Sequence, residues 1–402
     1  MVNNRELLSG CYMSVSKRTL AIKPSATLAI SALAKQMQSD GKPVVSLSAG
    51  EPDFTTPETI CSQGIEAIKQ GHTHYTAVPG TLPLREAICT KLMRDNNLSY
   101  KPDDIIVSNG AKQSIFNVIA ATIDPNDEVI IPVPYWVSYP DMVKLNDGIP
   151  VYCKPQSGLK PTAEDIEACI TEKTKLLILN SPNNPAGYTI EPNELSKIAN
   201  MLIKYPNIII LSDDIYEYLT WTESGFANIV MTNPELKDRT IIINGASKGY
   251  AMTGWRIGYT ATSNTAINKA MKTYQSQTTS CPSSISQYAT IKAMQTQKSE
   301  LANMLDKYRA RHDLLFKGLS SIPGVKAQVC EGAFYSFPDF SDYIAKLGLQ
   351  DDIELSNYLL QKAYLACVPG SAFGAPNHLR LSFATSEENI TIALERLNAQ
   401  IR

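Results

Sequence analysis

Histidine is scarce in this chain of 402 residues: His72, His74, His312 and His378 are all there is. The two that lie close together read as loop residues, too few for a metal centre. The eight cysteines, at positions 11, 61, 89, 153, 169, 281, 330 and 367, form no C-x-x-C pair. That argues against a zinc site or redox motif and fits reduced thiols in the cytoplasm. An excess of one charge is lacking too, since a formal net charge of −2 offers no pull on nucleic acid or an anionic membrane. No apolar run nears the roughly 18 residues of a membrane span. Leu7-Leu8-Ser9-Gly10-Cys11 superficially resembles a lipoprotein cleavage box, but Arg5 and Glu6 stand where its apolar segment would have to be. Residues 1–15 are expected to form a flexible tail. No internal repeat or low-complexity tract interrupts the rest.

What is present is a rhythm. The length favours two domains. From Ile105 onward short apolar strands alternate with amphipathic helices: 105–107, 129–131, 149–152, 176–179, 208–211, 241–243 and 257–260 as strands, with helices such as 112–121, 163–170 and 191–204 between them. Continuous apolar strands separated by helices imply an α/β fold with a mostly parallel central sheet covered on both faces. Ligands of such sheets sit beyond the carboxyl ends of the strands. Helical spacing also marks 26–38, capped by Ser25, and 57–70. A long helix over 283–317 is expected to stop at Gly318. The tail then returns to α/β alternation. The expected division is a segment 16–49 that joins a smaller α/β domain at 296–402, with a large domain at 50–295 between them.

The candidate chemistry gathers in the strand ends. Ile241-Ile242-Ile243 runs into Asn244-Gly245-Ala246 and delivers Ser247 and Lys248, with Arg256 eight residues after the lysine. A lysine at the end of a buried strand is desolvated, so its amine becomes a nucleophile toward carbonyls. A hydroxyl beside it and an arginine nearby suit a phosphate. Together they point to pyridoxal 5'-phosphate carried on the lysine as a Schiff base. The same residues also match G-x-S-x-G, the nucleophile elbow of a serine hydrolase, with His312 or His378 as its base. A strand-to-loop turn with a surface lysine is the plain alternative.

Asp213 ends another strand, where a carboxylate pairs with a protonated pyridine nitrogen; an acidic loop cap is the alternative. Asp214 reads as its solvated or capping neighbour. Tyr216 follows, with a hydroxyl for a phenolate oxygen. Asn184 lies in Asn183-Asn184-Pro185-Ala186-Gly187, a turn that presents one amide inward. Trp136 either stacks on a ring or belongs to the core. Gly110-Ala111-Lys112 opens a helix, a natural anion site. Arg380 interrupts an apolar strand, and an arginine buried there calls for a carboxylate.

Taken with KPSATLAI (23–30), LSAGEPDF (47–54), GAKQ (110–113), PYWVSYP (134–140), NSPNNPAG (180–187), SDDIYE (212–217), SKGYAMTGWRIGY (247–259) and LRLSFATSEEN (379–389), these residues form a known pattern. Over about residues 16–400 the chain resembles the class I, fold-type I aminotransferases that depend on pyridoxal phosphate, above all their bacterial aspartate/prephenate branch. The resemblance implies Lys248 as the Schiff-base lysine and proton shuttle, Asp213 on the pyridine nitrogen, and Tyr216 and Asn184 on the ring oxygen. It implies Trp136 stacked on the ring, with Ser247, Arg256 and the Gly110-Ala111 backbone on the phosphate. Tyr75 would join them from a second subunit, which makes a homodimer the expected assembly. Arg380 would hold the substrate α-carboxylate, helped by Asn184 and Gly50. Two departures stand out. Ala186 takes the place of the family's usual threonine. Ser276-Gln277-Thr278-Thr279-Ser280 has no arginine where the animal-type branch reads the distal carboxylate, which leaves Lys112 and Lys23 as the expected readers. The implied activity is ping-pong transamination between aspartate and 2-oxoglutarate in the cytoplasm, with prephenate or aromatic keto acids as alternative acceptors.

Overall fold

The computed structural model describes residues 15–22, 24 and 26–400. The expected tail and cleavage-box motif within 1–14, Lys23 and the Ser25 cap lie outside the described residues. Among the described residues there are twelve strands: β1 (Val45–Ser46), β2 (Ile105–Ser108), β3 (Glu128–Pro132), β4 (Ile149–Cys153), β5 (Thr174–Asn180), β6 (Ile209–Asp213), β7 (Thr240–Gly245), β8 (Gly258–Ala261), β9 (Tyr335–Ser336), β10 (Leu365–Ala366), β11 (Val368–Pro369) and β12 (Leu379–Ser382).

Seven of them form one sheet in the order β2-β8-β7-β6-β5-β3-β4. Every pair is parallel except those of β8, which runs antiparallel to both its neighbours. The residues explain the sheet. Ile130, Leu177, Ile210 and Ile242 pack into one covering layer, and Ile131, Ile178, Leu211 and Ile243 into the other. Each β-branched or branched residue fits the pleat, and burying one contributes roughly 1.5–3 kcal/mol. Helices follow because the intervening segments are apolar on only one face.

A second layer of structure closes over the carboxyl ends. Strands β11, β12 and β9 form an antiparallel sheet. Their core is shared with the helices Ala302–Ser320, Asp352–Lys362 and Glu387–Ala399, and with Tyr216 and Leu219 from the loop after β6. The N-terminal segment joins this side: β1 pairs in parallel with β10, and Ala34 and Val44 pack on Leu360 and Ala366.

The expected long helix over 283–317 is two helices, Ser284–Gln295 and Ala302–Ser320. Thr296 takes an extended ψ of 132°, and the Gln297 N–H donates to Glu300 Oε1 at 2.7 Å. A β-branched residue followed by a Q-x-x-E cap ends one helix and starts a new turn. Gly318 does not stop the second helix. A Cβ there would stand 2.3 Å from Leu394 Cδ1, so the glycine serves the close crossing with the last helix. The helix expected over 163–170 is shorter, Ala163–Glu167.

What this architecture does for function is alignment. Register pairs Asn180 with Asp213, and Asp213 with Ile243, so the loops leaving β5, β6 and β7 start side by side.

Candidate active site

Those loops floor a cleft of about 590 Å³, walled by the N-terminal helix Ala26–Ser39, the start of helix Ala111–Thr122, and residues of the small sheet. Asp213 sits at the base. Its Oδ2 accepts from the Tyr139 hydroxyl at 2.6 Å and its Oδ1 from the Ile215 N–H at 3.3 Å. The Asn180 amide donates to the Asp213 carbonyl at 3.0 Å, tying β5 to the same point. Burial pushes the Asp213 carboxyl up to about 6, against the lowering pull of its two donors and Lys248.

Lys248 leaves the turn after β7 and donates from Nζ to the Gly50 carbonyl at 2.5 Å. Burial holds its ammonium down at about 8; Arg380 and Arg256 add to the effect, while Glu51 and Asp213 oppose it. Phe334 and Tyr216 present their rings to the amine at 5.8 and 6.0 Å. An amine half neutral at about pH 8 supplies far more free nucleophile than an ordinary lysine.

One end of the cleft suits an anion. Arg256, at φ 57°, donates to the Thr253 carbonyl at 3.0 Å and the Asn109 carbonyl at 3.3 Å. A Cβ on Gly110 would stand 2.4 Å from Arg256 Nη2, and Gly110 itself has φ 83°, so only glycine lets helix Ala111–Thr122 begin against the guanidinium. The first N–H groups of that helix have no partner within it. Ser247 lines the same cleft. Lys112 lies with Nζ 4.9 Å above the Trp136 ring, its pKa lowered by burial and then by Arg256. The Lys112 ammonium and the Arg256 guanidinium together make this end of the cleft cationic.

The other end holds Arg380, only 2% exposed. Its Nη1 donates to Asn184 Oδ1 at 3.1 Å and its Nη2 to the Ser48 carbonyl at 3.0 Å. Nε is buried with no partner. The guanidinium lies between the rings of Tyr335 at 4.5 Å and Phe373 at 5.1 Å. The arginine is therefore held by neutral groups and keeps unspent donor capacity for a carboxylate. Tyr216, buried, bonds the Tyr335 hydroxyl at 3.1 Å.

The cleft thus brings together Lys248, Asp213, Tyr216, Asn184, Trp136, Ser247, Arg256, Ala111, Lys112, Gly50 and Arg380. Gly110 stands just behind Arg256. Tyr75 is not brought in; it is 93% exposed and does not line this chain's own cleft. Asp214 is a correction: far from being solvated it is 3% exposed. It accepts from the Ser212 hydroxyl at 2.7 Å and the Asn228 amide at 2.6 Å, and burial raises its pKa strongly.

The elbow reading loses its base. His312 is buried elsewhere, with Nδ1 against Asp313 and Nε2 accepting from the Cys330 N–H. His378 stacks on Phe337 at 4.9 Å, and neither histidine lines the cleft. Among the described residues no His, Cys, Asp or Glu cluster is placed for a metal, and no helix is long and apolar enough to cross a membrane. The sequence reading missed Tyr139, Tyr335, Glu51 and Asn180. Tyr139 and Asn180 fall inside quoted motifs, so a count of hydroxyls and amides near Asp213 would have found them; Tyr335 carries no local signal.

The donor set of this cleft and the sheet that aligns it are those of one enzyme family. Residues 42–397 match the family model for aminotransferases of class I and II, and the chain belongs to that family. It is 46% identical over 393 residues to the aspartate/prephenate aminotransferase of Nitrosomonas europaea, covering 96% of this chain and 99% of that protein. It is 44% identical over 391 residues to an aspartate aminotransferase of Rhizobium meliloti, covering 96% and 95%. Among solved structures, the Rhizobium meliloti aspartate aminotransferase superposes with a TM-score of 0.92 at 43% identity, over 97% of this chain and 99% of that one. The Thermus thermophilus aspartate aminotransferase with maleate superposes with 0.90 at 40%, over 96% and 100%.

Proposed function

We propose that the chain is a pyridoxal-phosphate-dependent transaminase that moves an amino group between aspartate and 2-oxoglutarate. The observation that carries this is the Lys248 amine, held near neutrality in a cleft with Asp213 at its base and an anion site at one end. The residues fit the cofactor: Arg256, Ser247 and the backbone at Gly110-Ala111 for its phosphate, Trp136 for its ring face, Asp213 for its pyridine nitrogen, Tyr216 and Asn184 for its ring oxygen. When bound, the cofactor withdraws electrons from the substrate Cα and carries the amino group between the two half-reactions.

The chain's own residues do the rest. Asp213, ionised above about pH 6, keeps a proton on its nitrogen partner. Arg380 takes the α-carboxylate through its spare Nε and the edge it shares with Asn184. The Gly50 carbonyl orients the amine of Lys248. Once free, Lys248 takes the Cα proton and returns it, beside the rings of Phe334 and Tyr216, which limit water near the amine. Lys112 meets the distal carboxylate; the Thermus relative was solved with maleate, a dicarboxylate, which supports an acidic substrate. Lys23, outside the described residues, is proposed as a second reader.

A second reading keeps the chemistry and makes prephenate or an aromatic keto acid the acceptor. The cleft favours it by continuing past Trp136 to Thr27, Ser31 and Lys35 of the N-terminal helix, and relatives are named for both substrates. We further place the enzyme in the cytoplasm as a homodimer in which Tyr75 serves the other copy's phosphate site, with domains divided near residues 50 and 296. Its free thiols among the described residues and the exposed Tyr75 support these readings.

The test is spectroscopic. Purified protein given pyridoxal phosphate should turn yellow, and borohydride should bleach it and fix the label on Lys248. Lys248→Ala should still take up the cofactor but form no reducible bond, and its turnover should fall by several orders of magnitude. A reducible band in Lys248→Ala, or near wild-type turnover, would sink the assignment.

A further inference from the structure

Tyr335 reaches from the small sheet into the cleft, and its place there is fixed from several sides. Its backbone pairs with Ser382, and its carbonyl accepts from Cys330 Sγ at 3.0 Å. Two residues earlier, Ala333 is held at φ 58° while its N–H donates to the Leu219 carbonyl at 2.7 Å. A non-glycine residue in that region persists only where its surroundings over-determine it. The side chain so placed touches two groups with different tasks. Its hydroxyl is 3.1 Å from the Tyr216 hydroxyl, and its ring face lies 4.5 Å from the Arg380 guanidinium.

Each phenol has one proton to give. Two hydroxyls in contact need one donor and one acceptor, so a Tyr216 that gives its proton to the cofactor's ring oxygen must accept from Tyr335. We propose that Tyr335 is a positioning residue with two roles: its hydroxyl donates to Tyr216 and so turns the Tyr216 proton toward the cofactor, while its ring carries Arg380 in the geometry that receives the α-carboxylate. The proposal rests on the reading of Tyr216 and Arg380 given above.

Successive hydrogen bonds polarise one another, so the donation strengthens the bond that Tyr216 makes. The ring's negative face stabilises a guanidinium that has no carboxylate beside it in the free protein. One side chain from the small sheet therefore sets both the substrate clamp and the cofactor oxygen.

The experiment compares Tyr335→Phe, Tyr216→Phe, the double variant and Tyr335→Leu, each loaded with pyridoxal phosphate. The readouts are the pH midpoint of the cofactor's visible band, and kcat and KM for aspartate. A hydrogen bond to the ring oxygen stabilises its anionic form, so weakening that bond raises the midpoint. Tyr216→Phe should raise it most, and Tyr335→Phe by a smaller amount, about 0.3–1 unit. The double variant should match Tyr216→Phe alone, because Tyr335 acts through Tyr216. Tyr335→Phe should leave KM within about two-fold, while Tyr335→Leu should raise it roughly ten-fold as the ring under Arg380 is lost. An undiminished Tyr335→Phe shift in the Tyr216→Phe background overturns the donor role. A wild-type KM in Tyr335→Leu, or a ten-fold rise already in Tyr335→Phe, overturns the ring role. If Tyr216→Phe moves no midpoint, the failure belongs to the reading of Tyr216, and the proposal falls with it. Should Tyr335→Leu not fold, Tyr335→Phe decides both roles by the same criteria.

Discussion

Burial moves Asp213 up to about 6 and Lys248 down to about 8, and both shifts cost the cofactor-free protein stability. For Asp213 the folded pKa exceeds the ordinary 3.8, so the folded protein prefers the neutral acid. The resulting penalty is absent at low pH, grows as pH rises from 3.8, and is complete above about 6. For Lys248 the folded pKa lies below the ordinary 10.5, so the penalty is complete below about 8 and fades toward 10.5. Cofactor-free Asp213→Asn should therefore melt higher than cofactor-free wild type at pH 7.5, with the gap narrowing as pH falls from 6 toward 5. Cofactor-free Lys248→Met should also melt higher at pH 7, with its gap narrowing by pH 9.5. Melting curves across pH check both, and gaps that ignore pH would refute the assignment of cost to charge. Lys112 presents the opposite case, a cation waiting for an anion. A hydrogen bond between charged groups is worth roughly 1.5–3 kcal/mol, so Lys112→Ala should lose about ten- to a hundred-fold in kcat/KM for aspartate. Alanine and aromatic substrates should change little. Equal losses for alanine and aspartate in steady-state assays would assign Lys112 to the cofactor or the fold.

The turn after β6 shows how one element serves both chemistry and folding. Asp213 faces the cleft, and Asp214, next in sequence, faces away from it into a buried pocket between Ser212 and Asn228. Asn228 also caps the following turn by accepting from the Val230 and Met231 N–H groups. Asp214→Ala removes both acceptors at once and leaves the Asn228 amide and the Ser212 hydroxyl without their buried partner, at about 1–3 kcal/mol for each group left unpaired. The variant should melt several degrees lower, contrary to the tolerance expected of a solvated residue, and an unchanged melting temperature would overturn this account. That contrast marks what the sequence discloses. Strands β5, β6 and β7 were legible because both their faces are buried, which writes an unbroken apolar run. The residues at their ends were legible because polar groups there interrupt the run. Which of Asp213 and Asp214 faces the cleft was carried by the motif, but the burial of Asp214 was not, since its partners Ser212 and Asn228 close around it only in the fold. The break at Thr296 was missed because its neighbours keep helical spacing on both sides. Tyr335 was illegible because its task is set by Tyr216 and Arg380, 119 and 45 residues away in the chain.

At the scale of the molecule, the proposed dimer gives each anion site a residue from the other copy. Arg256 is exposed, and Tyr75, which the family pattern gives to the phosphate, is 93% exposed. In the proposed two-fold dimer each copy's Tyr75 would reach the other's cleft, so every site would be composite and the two equivalent by symmetry. Composite sites predict complementation. Lys248→Ala removes the nucleophile from a copy's own cleft, while Tyr75→Ala removes a phosphate contact from the opposite one. In a hybrid dimer of the two variants, one cleft carries both defects and the other carries neither. Equal amounts of the two proteins, dissociated and reassociated, give hybrids as half of all dimers, so activity at limiting cofactor should recover to about a quarter of wild type. Neither variant alone should approach that level, because one lacks the nucleophile everywhere and the other retains cofactor poorly. Mixing without subunit exchange should give no recovery. Activity that never exceeds the average of the two parents after exchange would mean that Tyr75 acts within its own chain or not at all, and the shared site would have to be abandoned.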